Sequence, residues 1–343
     1  MGENQEKHRW GVMNYWWRFY QPLYFFPFSD FVVELLVFIH IYLLAAWLAL
    51  REAWFDHGDM INELEDELFE FRLWSSKSRN RRRILVIGGD GTIGSQIVKL
   101  LQQDSQFEIH VAVHHKYSSR QLLKNDETTT FYELDLTDNV QILLLANELK
   151  SHHFDVAVFA AGVMLSPEIR TSDGVEFHNA VNVIGQVMLY ELLQNEITRA
   201  VFLSSATARM ACYSKDPNFL SVYAGPYQAY ASSKLNLAVY VNEVARKRHV
   251  TAVSLHPGTV PGHLYHNANP LVRYLNATLL PKIMRKPEMA AVLVLHTIMR
   301  EDVQPGAYYE DTEVVDLVSH LPEEERTRIY ESIHRRIELW MEK

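Results

Sequence analysis

One cysteine, Cys212, stands in a chain of 343 residues. An internal disulfide and a cysteine-based zinc cluster are both excluded. The sixteen histidines supply no HExxH or comparable ligand spacing. The adjacent pairs His114–His115 and His152–His153 point to different sides of a strand or helix and read as solvated or core residues. An excess of basic charge is also missing. The net charge is −9 and spread along the chain, which argues against nucleic acid as a partner. Repeats and low-complexity tracts are absent. Apolar residues are plentiful, 48% against 22% charged, the composition of a globular chain with ample core.

The long apolar run FVVELLVFIHIYLLAAWLAL, residues 31–50, has only Glu34 and His40 as ionisable groups. Twenty helical residues span about 30 Å, the hydrocarbon thickness of a bilayer. Trp16, Trp17, Phe19 and Tyr20 before it, and Trp47, Trp54 and Phe55 near its end, are placed like interfacial belts. We expect a membrane-spanning or membrane-embedded helix over 31–50, preceded by an aromatic segment 1–30. A buried core helix, or one lying in the interface, is the alternative. Flanking basic residues leave the orientation open, and the sequon Asn276-Ala277-Thr278 would report it. Residues 52–75 alternate acids with Leu64, Leu68 and Phe69, predicting an acidic amphipathic helix. KSRNRRR, 77–83, reads as a solvated linker, so that 51–83 joins the membrane segment to a domain over 84–343.

From Ile84 onward, apolar strands alternate with helical patterns. After ILVI, strands are expected over 108–113, 128–135, 154–162, 200–205 and 251–258, and helices over 138–150, 174–194 and 227–247. This alternation implies right-handed crossovers and a parallel sheet covered on both faces, a doubly wound α/β fold of Rossmann type. The C-terminal PEEERTRIYESIHRRIELWMEK opens on acids, a helix-start signal.

Gly88-Gly89-Asp90-Gly91-Thr92-Ile93-Gly94 falls between the first strand and its helix. It satisfies both GxGxxG (Gly89, Gly91, Gly94) and GxxGxxG (Gly88, Gly91, Gly94). Glycines there permit a tight turn and let backbone N–H groups approach a pyrophosphate at a helix N-terminus. About twenty residues on, an NAD site places an acid on the ribose. Here stand His114, His115 and Lys116, so NADP(H) is favoured over NAD(H). Asp135 meets the adenine or caps a helix. Further on, Tyr230 and Lys234 lie one turn apart in QAYASSKLNLAVYVNEVA, whose apolar positions suit a buried helix. A phenol beside an ammonium has reason to ionise below its ordinary value near 10. It can then serve as acid/base for alcohol–ketone chemistry, although a surface pair without a catalytic role has the same spacing.

With the glycine loop first, FAAG at 159–162, the pair Ser204-Ser205 and then YxxxK, the chain resembles the short-chain dehydrogenases/reductases. RTSDGVEFHNAVNVIGQVMLYELL, VFLSSATA, YQAYASSK, and LHPGTV followed by GHLY resemble their retinol-dehydrogenase-like, membrane-anchored branch. The resemblance implies Tyr230 as catalytic acid/base, Lys234 lowering its pKa and binding the nicotinamide ribose, Ser205 on the substrate oxygen, and Asn182 supporting a water relay to the lysine. It places the dinucleotide against Gly88, Gly89, Gly91, Thr92, Ile93, Gly94, His114, Lys116, Asp135, Ala161, Gly162, Tyr230, Lys234, Pro257 and Gly258.

Three departures stand out. Ile87 and Thr92 replace a threonine and the middle glycine of the commoner loop. FAAG replaces NNAG. Gly262 occupies the polar position after PGxVx. Residues 269–284 (NPLVRYLNATLLPKIM) lie where the family has its substrate lid, although an ordinary packed helix would read the same way. The expected activity is NADP(H)-dependent carbonyl/alcohol interconversion on a retinoid, steroid, polyprenoid or fatty aldehyde, at a membrane we expect to be that of the endoplasmic reticulum. Expected partners are that lipophilic small molecule, the bilayer and, as an option, a second copy in a homodimer. The altered loop keeps open a different reading, a catalytically weak dinucleotide-binding protein acting as an interaction or regulatory module. An epimerase of the extended branch is disfavoured by the short C-terminal part.

Overall fold

The structure, a computed structural model, describes residues 43–44, 46–56, 62–66, 68–69, 81–115, 127–211, 218–223, 225–268 and 270–342. Residues 1–42, most of the expected membrane segment, lie outside these, as do Lys116 and Cys212. Among the described residues no helix is long and apolar enough to cross a membrane.

Near-continuous apolar runs build a sheet whose two faces are both covered. Its strands are β1 (Arg82–Ile87), β2 (Phe107–Val113), β3 (Thr129–Glu133), β4 (Phe154–Phe159), β5 (Ile197–Leu203), β6 (Thr251–His256), β7 (Tyr308–Glu310) and β8 (Glu313–Val315). They are ordered β3-β2-β1-β4-β5-β6-β7-β8. All neighbouring pairs are parallel except β7–β8. The order reverses between β1 and β4, and in an open parallel sheet this switch point leaves a crevice beyond the strands' carboxyl ends.

The α-helices after β1 are α1 (Thr92–Leu101), α2 (Asn139–Leu149), α3, α4 (Pro226–Arg248), α5 (Pro270–Thr278), α6 (Leu280–Ile283), α7 (Pro287–Met299) and α8 (Glu323–Met341). Helix α3 runs Phe177–Asn179, then through a π-helical stretch Ala180–Gly185, then Gln186–Leu193. Strand alternation decides the layers. Leu85 and Ile87 join one core with α2, α3, α4 and α8, whereas Ile84 and Val86 join another with α1 and α7. Leu64 and Leu68 of the acidic stretch are buried in the second core, so this segment packs onto the domain.

Two boundaries depart from the sequence reading. Arg82 and Arg83, expected in a solvated linker, open β1, because the Arg83 N–H donates to Asp155 Oδ2 at 2.9 Å and its guanidinium pairs with Glu108 at 3.0 Å. Strands β7 and β8, three residues each, were not foreseen.

Candidate active site

The crevice at the switch point is a cleft of about 450 Å³. Its floor is the turn after β1. Gly88 has φ +83°, and a Cβ there would meet the Ala161 backbone at 2.6 Å. At Gly94 a Cβ would meet the Gly88 carbonyl oxygen at 2.1 Å. These two glycines let α1 start directly against the strand end. Gly91 is the N-cap of α1 and makes no side-chain cap hydrogen bond. The first N–H groups of a helix have no intrahelical acceptor, so this uncapped end opening on the cleft fits a pyrophosphate. Gly88, Gly91, Thr92 and Ile93 line the cleft. Gly89 and Gly94 do not, and serve packing instead, a Cβ on Gly89 meeting Val111 at 2.2 Å.

Ala161, Gly162, Pro257 and Gly258, from the ends of β4 and β6, line the same cleft, as do His114 and Asp135. The Asp135 carboxylate accepts from Thr137 N at 2.8 Å and Thr137 Oγ1 at 2.7 Å, with its other oxygen 3.9 Å from His114 Nε2. The cap of α2 is Asp138, which accepts from Val140 N and Gln141 N. Asp135 is therefore a cleft residue and not the helix cap.

Helix α4 carries Tyr230 and Lys234 on its buried side. Pro226 at its start and three cations in its last turn suit its ends. Both side chains are buried against the end of β5. Lys234 Nζ donates to the Leu203 carbonyl at 2.7 Å and lies 5.8 Å from the Tyr230 ring centroid. Ser204 Oγ donates to the Lys234 carbonyl at 2.9 Å and so fixes the helix. Ser205 accepts from Thr207 Oγ1 at 2.8 Å and is hydrogen-bonded to Tyr230. Burial pushes Tyr230 up to about 12, against the pull of that Ser205 bond. Burial also lowers Lys234 to about 7. Each group is thus poised against its charged form: the ionisation of Tyr230 below 10 expected from its lysine neighbour is reversed by burial, and added positive charge in the cleft would favour the phenolate.

Asn182 sits within the π-helical stretch of α3. It accepts from Val163 N at 2.8 Å and donates to Val163 O at 3.0 Å and Ser233 Oγ at 2.9 Å. This places its amide between the β4 loop and α4, within reach of Lys234. A Cβ on Gly162 would lie 3.3 Å from Asn182 Oδ1 and 3.4 Å from Lys234 Nζ. Where FAAG lacks an asparagine, buried Gln186 donates to the Ala161 carbonyl at 3.2 Å.

Sequence reasoning missed His256, Thr259 and Tyr265, which also line the cleft. His256 is buried, and its Nδ1 has no hydrogen-bond partner among the described residues. Tyr265 is pushed up by burial and by the nearby Tyr230. Its place in GHLY, directly after the loop, was the available signal. The sequon's Asn276 is engaged in the fold, its Oδ1 accepting from Gly262 N at 3.1 Å and its Nδ2 donating to Gly262 O at 3.2 Å.

The residues present fit a nicotinamide dinucleotide, which supplies the hydride when bound. Gly91–Ile93 would hold the pyrophosphate, and Lys234 would meet the ribose. The Tyr230 hydroxyl would deliver or take the substrate proton, and Ser205 would polarise the substrate oxygen.

The sequence model of the NAD-dependent epimerase/dehydratase family matches residues 84–298. Human retinol dehydrogenase 11 is 27% identical over 249 residues, covering 67% of this chain and 77% of that protein. Human polyprenol dehydrogenase is 26% identical over 254 residues, with the same coverage. Among solved structures, a short-chain dehydrogenase from Burkholderia cenocepacia in complex with NADP superposes with a TM-score of 0.53 at 18% identity, covering 68% of this chain and 98% of that one. That last likeness carries the fold alone. Taken with the placement of Ser205, Tyr230 and Lys234, these findings put the chain in the NAD-dependent epimerase/dehydratase family, as an NAD(P)-dependent short-chain dehydrogenase/reductase.

Proposed function

We propose that this enzyme interconverts a carbonyl and an alcohol on a lipophilic substrate with NADP(H), at a membrane surface. The observation that carries the reading is the Ser205–Tyr230–Lys234 group in a cleft whose walls include Val163, Met164, Phe177, Val181, Val260 and Leu264. Such walls favour a long apolar substrate over a small polar one. In reduction Tyr230 donates its proton to the substrate oxygen while Ser205 holds that oxygen, and Lys234 stabilises the phenolate that results. Asn182 supports Lys234 through the Val163 loop. His114 and Lys116 support a preference for the 2′-phosphate cofactor.

Membrane association draws on the run 31–50 and on an exposed apolar stripe. Leu43, Trp47, Leu50 and Trp54 are exposed at helical spacing along the helical residues 43–44 and 46–56, and Trp54 is 85% exposed. Tyr274, Leu279 and Ile283 of the α5–α6 region are exposed as well, which suits a lid meeting a bilayer. The relatives named above act, by name, on retinol and polyprenol, and the same substrate class is proposed here. The division into a membrane segment over 31–50, a joining segment from 51 and a catalytic domain whose sheet opens at Arg82, at the endoplasmic reticulum, belongs to the same proposal.

The test is full-length protein in detergent with NADPH or NADH against retinals, polyprenals, steroid ketones and long-chain aldehydes. The reading expects oxidation of NADPH, faster than NADH, with at least one apolar carbonyl. Tight NADPH binding with no turnover on any would instead support the weak dinucleotide-binding module.

A further inference from the structure

Residues 46–56 form a helix laid across the carboxyl ends of β6 and β7, and its inner face is ionic. Arg51 pairs with Glu310 at 3.3 Å and Asp311 at 3.2 Å. Asp56 accepts from Arg285 Nε at 3.0 Å. Arg285 is 1% exposed, pairs with Asp311 at 2.8 Å and donates to the Pro257 carbonyl at 3.3 Å. Between these lies Glu52, 0% exposed. Its Oε2 accepts from both Thr259 N and Thr259 Oγ1, each at 2.6 Å. Its Oε1 accepts from His256 Nε2 at 3.1 Å.

A fully buried carboxylate is costly unless its lone pairs are used, and here the three hydrogen bonds come from His256 at the end of β6 and from Thr259 just beyond it. His256, Pro257, Gly258 and Thr259 all line the cleft. Gly258 has φ +104°, and a Cβ on it would collide with Arg285 Cδ at 2.6 Å. The loop is therefore held from below by the helix 46–56, partly through Arg285, in a conformation only glycine adopts readily. Its upper side faces the cleft.

We infer that Glu52 is a positioning residue for the dinucleotide site, fixing the His256–Thr259 loop in the shape that receives the cofactor. The inference rests on the cofactor site proposed above. It makes the segment before the domain part of the working site, across more than 200 positions of sequence. Without Glu52 the Thr259 donors are left unpaired and the loop must be reordered by the cofactor itself, so binding weakens while the chemistry at Tyr230 does not change.

The experiment compares NADPH dissociation constants, and kcat at saturating NADPH, for the full-length wild type, Glu52→Ala, Glu52→Asp, Glu52→Gln and the control Arg51→Ala. Glu52→Ala should weaken NADPH about tenfold, the scale of one unpaired buried donor, with kcat within about twofold of wild type. Glu52→Asp, too short to reach both His256 and Thr259, should weaken it about threefold or more. Glu52→Gln keeps an oxygen for Thr259 and should restore near wild-type affinity. Arg51→Ala, which leaves the loop contacts in place, should not alter it. Unchanged affinity in Glu52→Ala overturns the inference and leaves the proposed function standing. Where that variant does not fold, unchanged affinity in Glu52→Asp does the same. Equal weakening in Arg51→Ala also overturns it, since docking of the whole helix would then be the cause. A wild type that binds neither NADPH nor NADH overturns the proposed function, and this inference with it.

Discussion

Gly262 and Thr92 are packed against each other: a Cβ on Gly262 would sit 2.4 Å from Thr92 Oγ1, and that hydroxyl accepts the N–H of His263 at 3.2 Å. Thr92 stands where the commoner loop has a glycine, and Gly262 where the commoner loop after β6 has a polar side chain. The two departures are one compensated contact between the glycine turn after β1 and the loop beyond β6.

Gly262→Ala should therefore lower both thermal stability and NADPH affinity, because the new methyl enters Thr92 and the backbone φ of +154° resists it. Thr92→Gly combined with Gly262→Ala should recover the packing part but not the backbone part. A double-mutant cycle on melting temperature and NADPH affinity should give a favourable coupling of about 1 kcal/mol. Strict additivity would show that the contact is incidental.

Lys234 gives a signature in the pH dependence of stability. Its value falls from 10.5 unfolded to about 7 when buried in the fold. Between those values the unfolded chain binds more protons than the native one, so stability rises with pH. Chemical denaturation from pH 7.5 to 9.5 should show this rise, at most about 1.4 kcal/mol per pH unit from one group. Lys234→Met should flatten it. A wild type whose stability is level or falling across that range would show that Lys234 keeps its charge in the native state.

Asn182 makes three hydrogen bonds that tie the Val163 backbone to Ser233. Asn182→Ala leaves Val163 N and O without their partner and should cost about 2–3 kcal/mol in urea denaturation. Turnover should fall too, since the loop beside Lys234 loosens. Wild-type stability with lost turnover would instead assign Asn182 a purely chemical part.

Much of this was legible in the sequence because the signals were local. The apolar runs of β1, β2, β4, β5 and β6, and the buried face of α4, are periodic over many residues. Tyr230 and Lys234 share a helix face by spacing alone. What was hidden depends on partners distant in the chain. Glu52 looks like any acid of an amphipathic helix until Thr259 and His256 come to meet it. Strands β7 and β8 are too short to show a period. Asp135 and Asp138 compete for the same cap in LDLTD, and only the backbone shows that Asp138 takes it. The π-helical stretch that holds Asn182 ends at Gly185, where a Cβ would meet the Leu136 carbonyl oxygen at 2.1 Å, a contact that no local pattern shows.

In the proposed reaction the Tyr230 hydroxyl moves the substrate proton. The most direct test of that role is Tyr230→Phe, measured for NADPH affinity by titration and for turnover on the best apolar carbonyl of the wild type. The phenol is buried beside Ser205 and Lys234, and removing only its oxygen keeps the packing. NADPH affinity should stay within about threefold of wild type, with turnover reduced by about 10²-fold or more. Turnover close to that of the wild type would contradict that role.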